Sequence, residues 1–185
     1  GPEGDAFGPS WAPDSRRLAF FRRGLRTGSW EVWTLDVDGG SEEFLCQGLF
    51  PAWAPASAGG QWIAYQTARE RDGQWYTIWK IRADGSRPTE LVAGETWGAV
   101  HPNWSPDGRW ITFAVLGKGE ATQDGAPGQR PGASDIYLAT AEGTHLTNLT
   151  GDHAGVTEWN PCFGPDGRIC FNSDEGGSVN VWSLD

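Results

Sequence analysis

"HPNWSPDGRWITF", residues 101–113, reads as a strand, a tight turn and a second strand. The chain contains the same phrase three more times: "GPSWAPDSRRLAF" at 8–20, "FPAWAPASAGGQWIAY" at 50–65 and "NPCFGPDGRICF" at 160–171. The shared skeleton is Pro, any residue, an aromatic, a small residue, Pro, usually Asp-Gly, then an aliphatic, a small residue and an aromatic. The anchoring aromatics are Trp11, Trp53, Trp104 and Phe163, spaced by 42, 51 and 59 residues. A repeat of that length marks stacked sheet units rather than one mixed core.

Each copy continues in the same way. Second strands are expected at 17–21, 62–66, 110–115 and 168–172, and third strands at 31–36, 76–81, 135–140 and 180–185. The third strands carry Trp33, Trp79, Tyr137 and Trp182 in register. A fourth strand follows a Gly turn in three copies, at 42–47, 89–93 and 144–149. The fourth copy stops after its third strand, which predicts about fifteen strands in an antiparallel meander. Pro-Asp-Gly suits the turns because Pro presets φ, Asp bonds the local backbone and Gly accepts positive φ. Alternating apolar and polar positions suit a pleated, half-buried surface.

One such sheet carries large apolar side chains on both faces and does not stand alone. Stacking sheets about an axis buries those faces at roughly 25 cal/mol per Å². The expected fold is therefore all-β: a β-propeller of four antiparallel four-stranded blades, the last of them three-stranded. The whole of 1–185 forms one domain, with blades at about 8–48, 49–94, 95–151 and 152–185. Trp11, Trp53, Trp104, Trp33, Trp79 and Trp182 read as inter-sheet packing. Trp30, Trp75, Trp97 and Trp159 fall in or beside loops and are the candidates for stacking on a ligand.

Composition narrows the function classes. A net charge of −10 disfavours binding to nucleic acid. No apolar run approaches the ~18 residues of a membrane helix, so no membrane insertion is expected. The opening "GPEG" resembles the remnant of a cleaved purification tag. "GKGEATQDGAPGQRPGAS" at 117–134 reads as a mobile loop.

"PNWSPDGRWITF" followed by "DIYLATAEG" and "LTNLT" resembles the repeat of TolB-like β-propellers, a PD40 or WD40-like repeat also found in the propeller domains of prolyl-oligopeptidase-type peptidases. The resemblance covers nearly the whole chain and weakens in the second copy, where "APASAGGQW" replaces the Pro-Asp-Gly turn. It implies a propeller scaffold and carries little about activity. For TolB it also implies the bacterial periplasm, although no segment of the chain itself sets a compartment. TolB has six blades and four are counted here. Three arrangements follow: a closed four-bladed ring, part of a longer propeller, or two open halves closing as an eight-bladed homodimer.

No catalytic set stands out. No Ser lies in a Gly-x-Ser-x-Gly elbow. His101, His145 and His153 are too scattered for a zinc spacing, and neither metal nor cofactor is expected. "DVDGGSEE" at 36–43 imitates part of a calcium loop with Asp36, Asp38 and Glu42, but a hairpin turn is needed there anyway. Asn103 and Asn148 match the glycosylation pattern by accident. His101 precedes the repeat Pro, where the other copies have Gly8, Phe50 and Asn160; a polar residue in a solvated axial channel is the plain reading. Cys162 and Cys170 occupy small positions on two strands of one hairpin, where packing and a cross-strand disulfide both remain open.

The leading expectation is a non-catalytic scaffold that binds a protein, a ligand or a second copy of itself, with His101, Asn160, Trp97 and Trp159 as the first binding residues to inspect. The alternatives are a fragment of a propeller-containing hydrolase, peptidase or lyase, and an excised or designed repeat fragment.

Overall fold

The computed structural model describes residues 5–70, 74–95, 97–117, 134–151 and 155–184; the insertion expected to be mobile lies almost wholly outside them, as does His153. The described residues form fifteen strands in four antiparallel sheets. The first sheet holds β1 (Ala6–Trp11), β2 (Arg17–Arg23), β3 (Trp30–Asp36) and β4 (Glu42–Gln47). The second holds β5 (Leu49–Trp53), β6 (Trp62–Glu70), β7 (Gln74–Arg82) and β8 (Thr89–Val92). The third holds β9 (Gly98–Trp104), β10 (Trp110–Leu116), β11 (Ser134–Thr140) and β12 (Thr147–Asn148). The fourth has β13 (Glu158–Phe163), β14 (Ile169–Ser173) and β15 (Asn180–Leu184). In each sheet the strands follow chain order, as a meander requires.

The turns obey the chemistry expected of Pro-Asp-Gly. Asp107 accepts the backbone N–H of Arg109 at 3.0 Å and its Nε–H at 2.7 Å, while the Ser105 hydroxyl donates to it at 2.6 Å. Those bonds hold its carboxyl down at about 2. Asp14 does the same for the N–H groups of Arg16 and Arg17, and Asp166 for that of Arg168. Ser15, at φ 58°, takes the left-handed place that Gly108 and Gly167 hold in later copies.

Cross-strand partners share a face and neighbours alternate. The register thus gives every sheet two unlike faces. One carries the repeat aromatic: Trp53, Ile63 and Ile81 line up in the second sheet, and Trp104, Ile111 and Ala139 in the third. The other carries smaller residues on its first two strands at the same level, Ser10 and Ala19, Ala52 and Ala64, Asn103 and Thr112, with Thr34, Lys80 and Leu138 beside them on the third. The aromatic face of each sheet packs on the small face of the sheet before it. Trp53, Ile63, Tyr65 and Ile81 join Ala19, Phe21 and Val32 in one core. Trp104, Ile111 and Phe113 join Ala52, Ala64 and Ile78 in another.

Hydrogen bonds pin each junction. The Trp53 N–H donates to Ser10 Oγ at 2.8 Å, and the Phe163 N–H to Asn103 Oδ1 at 3.0 Å. Between them, Trp104 Nε1 donates to the Ala52 carbonyl at 3.0 Å. Asn103 is thus a joint between blades. Asn148 bonds Asp135 through Nδ2 and accepts two N–H groups through Oδ1.

The six repeated tryptophans divide by place in the row of sheets. Trp53 and Trp104 are buried, and Trp33 and Trp79 half-buried. Trp11 is 56% exposed and Trp182 41%, so the expected burial fails at both ends. Trp11 lies on the aromatic face of the first sheet, which has no preceding sheet among the described residues. Trp182 points toward the third sheet near the outer rim, where β12 is only two residues long.

Candidate functional site

The innermost strands β1, β5, β9 and β13 each contain an X-Pro pair, and X adopts a left-handed backbone every time. The φ values are 55° at Gly8, 49° at Phe50, 57° at His101 and 51° at Asn160. The strand pairing slips at the same place in all four sheets. Each inner strand therefore carries a bulge, which sharpens the local bend and re-aims the side chain. The Pro is tolerated because the inner strand has a neighbour on one side only, so its missing N–H breaks no ladder. For a bulky residue such as Phe50 this backbone is strained and must be held by its surroundings.

The surroundings are aromatic. Trp30, Phe7 and Phe21 pack edge to face or tilted, with centroids 5.6–6.1 Å apart. Phe21 meets Phe50 at 4.8 Å, and Phe50 meets the His101 ring edge-on at 4.2 Å. An unbroken row of rings thus crosses three blades at the end where the inner strands begin. At its far end His101 is half-buried, its Nδ1 buried and with no hydrogen-bond partner among the described residues. Burial pushes the imidazole down to about 4, so it is neutral at pH 7. The bulge turns the half-buried ring onto Phe50, at the end of the aromatic row. Its backbone N–H is held by Gln66 Oε1 at 2.9 Å.

The near end of the row is open. Asp5, Phe7, Arg23, Leu25 and Trp30 line a groove of about 410 Å³ beside the β2–β3 hairpin. Phe7 and Leu25 are 37% and 73% exposed. Arg23 Nε donates to the Gly28 carbonyl at 3.1 Å, which ties the hairpin down over the groove. Of the residues here, only Trp30 was singled out from the sequence. Phe7 stands before the repeat Gly-Pro, and "RRGLRTGSW" at 22–30 is a turn with an apolar residue at its tip; neither signal is strong alone.

The four binding candidates do not form one constellation. His101 and Asn160 occupy equivalent bulges in the third and fourth sheets, His101 half-buried and Asn160 exposed. Trp97 lies over Gly94 and packs against the core between the second and third sheets. Trp159, on β13, shares a face with Asn172 and Val181 on the outer side of the fourth sheet. The side chain of Trp75 lies outside the described residues.

The carboxylates of 36–43 are engaged as a hairpin. Asp36 accepts the N–H groups of Asp38 and Gly39, Asp38 pairs with Arg16, and Glu42 pairs with Arg22 at 2.7 Å. No group of three or more His, Cys, Asp or Glu side chains with metal-site spacing occurs among the described residues. Cys162 and Cys170 are direct cross-strand partners, and both thiols are free. The free Cys46 thiol lies against the Tyr65 hydroxyl across the first junction, and burial pushes it up to about 12. No described helix is long and apolar enough to cross a membrane.

No protein-family model matches the chain. It is 30% identical over 104 residues to an uncharacterized protein of Agrobacterium fabrum, covering 56% of this chain and 33% of that one. The Tol-Pal system protein TolB of Anaeromyxobacter dehalogenans is 30% identical over 142 residues, covering 75% of this chain and 27% of TolB. The uncharacterized peptidase YuxL of Bacillus subtilis is 28% identical over 135 residues, covering 70% and 18%. The chain thus spans about a third or less of these relatives. Among solved structures, TolB from Acinetobacter baumannii superposes with a TM-score of 0.71 at 16% identity, over 98% of this chain and 41% of that one. A prolyl endopeptidase gives 0.66 at 16% identity, over 98% and 27%. The fold is that of the TolB-like β-propellers.

Proposed function

We propose that this chain is a non-catalytic binding scaffold, and that the groove at the end of the aromatic row takes an extended segment of a partner protein. The observation that carries this reading is the continuity of the groove with a rigid floor. Phe7 and Trp30 are held by Phe21 and Phe50, so an incoming apolar side chain meets preorganised rings at little ordering cost. Asp5 and Arg23 at the rim offer both signs of charge to polar groups flanking that side chain.

Selection of phage-displayed random heptapeptides on the 185-residue chain tests it. The expected result is enrichment of peptides with one large apolar residue, and their loss on a Leu25→Asp chain. Leu25 is exposed, so that variant keeps the fold. Equal recovery on both chains would overturn the reading.

A second reading has an observation in its favour, the matches to a peptidase and a prolyl endopeptidase. In it the chain is the propeller portion of a larger hydrolase. Hydrolysis of a prolyl anilide by the 185-residue chain, lost in His101→Ala or Asn160→Ala, would place chemistry in the propeller; its absence agrees with a portion whose catalytic groups lie elsewhere in a larger hydrolase.

A further inference from the structure

The fourth sheet differs from the other three at one pair of facing places. Two residues beyond the bulge on each innermost strand, the register sets Ser10 opposite Ala19, Ala52 opposite Ala64 and Asn103 opposite Thr112. In the fourth sheet the same places hold Cys162 and Cys170, both free thiols. Ser, Ala, Asn and Thr satisfy the packing in the other copies, so packing does not call for sulfur on both strands. The chain has three cysteines, and two of them face each other.

The spacing of the two follows from the ladder. The Gly164 N–H donates to the Arg168 carbonyl at 2.8 Å, which makes these residues a hydrogen-bonded pair. Such pairs alternate along antiparallel strands, so Phe163 and Ile169 form an open pair and Cys162 and Cys170 the next hydrogen-bonded one. The Cα atoms of a hydrogen-bonded pair stand about 5.5 Å apart. That lies inside the range of roughly 4.4–6.8 Å which a disulfide spans. Directly opposed residues also put their side chains on one face of the sheet. Burial, and then the neighbouring Cys170, hold the Cys162 thiol above its ordinary value. All of this is set within one hairpin and does not depend on what lies over the sheet.

We propose that Cys162 and Cys170 are a redox-active pair, closed reversibly into a cross-strand disulfide by a small disulfide oxidant of the glutathione type. One protein thiolate attacks a sulfur of oxidised glutathione, breaks its S–S bond and releases one glutathione thiolate. The second protein thiolate attacks the mixed disulfide at the protein sulfur, forms the bridge and releases the second glutathione. Two protein thiols are thereby oxidised, one glutathione disulfide is reduced to two thiols, and two protons pass from protein to glutathione. The bridge ties β13 to β14 at the first regular pair after the Asn160 bulge, so oxidation fixes the strand that carries that residue. Cys46 takes no part, because it lies on β4 of the first sheet against Tyr65.

Trypsin cuts after Arg168, between the two cysteines, which makes the bridge readable as mass. The folded 185-residue chain is incubated with oxidised glutathione, alkylated with iodoacetamide, digested and measured by mass spectrometry. The expected product is peptide 119–168 joined to peptide 169–185, released by an excess of reduced glutathione, with Cys46 outside the bridge. Cys170→Ser is expected to stop at the mixed disulfide, with glutathione retained on Cys162 and no joined peptide. Wild-type peptides that stay separate, whether alkylated or carrying glutathione, would overturn the proposal, as would a bridge from either cysteine to Cys46. A joined product that resists reduced glutathione would overturn its reversibility.

Discussion

At the scale of single residues, two side chains each make the fold lose stability on acidification, in separate pH windows. His101 titrates near 6.5 when unfolded and at about 4 in the fold, where burial disfavours the charged ring. The unfolded chain therefore binds the extra proton first. Stability is full above pH 6.5 and falls as the pH drops toward 4, by about 3 kcal/mol over the window. His101→Asn keeps a residue tolerant of positive φ, as Asn160 shows in the next blade, and is expected to abolish that loss. Urea denaturation at pH 7 and pH 5 on both chains measures it. Asp107 acts lower. Its carboxyl is held at about 2, below the ordinary 3.8, so its contribution is present above pH 4 and disappears as the pH falls through 2. Asp107→Asn is expected to lower the melting temperature at pH 7 but to match wild type near pH 2, as thermal scans would show.

At the scale of elements, what matters is how a strand or turn meets the next blade. Gly143, in the β11–β12 turn at φ 80°, faces the Leu91 carbonyl so closely that an added Cβ would collide with it. The backbone of the second sheet occupies that space, and no flexible side chain can yield. Gly143→Ala combines left-handed strain with that collision and is expected to cost about 2 kcal/mol or more in chemical denaturation. Gly151, at φ 72° with open space around it, is the control: Gly151→Ala carries the backbone strain alone and should cost about 1 kcal/mol. The β3–β4 turn teaches a related lesson. Its acidic sequence imitates an ion site, yet Asp36 is absorbed by the hairpin and Asp38 and Glu42 by arginines beside it.

At the scale of the whole molecule, one repeat residue has different worth at different places. Trp53 is buried between the first and second sheets, whereas Trp11 occupies the same repeat position with nothing over it. At concentrations that keep the chain monomeric, Trp53→Ala is expected to cost about 3–5 kcal/mol and Trp11→Ala less than about 1 kcal/mol, as read by guanidinium titration. Equal costs would mean that the first sheet is covered in the monomer.

The sequence alone determined the sheets. The Pro-x-aromatic and Pro-Asp-Gly phrases recur with their strands in register, and local turn chemistry with two-residue alternation sets strand order without reference to distant contacts. Fifteen strands and a propeller follow from that, because each phrase carries its own turn and its own two faces. The direction of the side chains at the axis was decided only by tertiary structure. Gly8, Phe50, His101 and Asn160 align in sequence, but the left-handed bulge that aims them is imposed by packing around the inner strands, so His101 packs edge-on against Phe50 while Asn160 stays exposed. The groove, too, joins residues from β1, β2 and β3 that no local pattern connects. Trp11 and Trp53 are alike as letters; which of them is buried depends on whether another sheet stands in front of it.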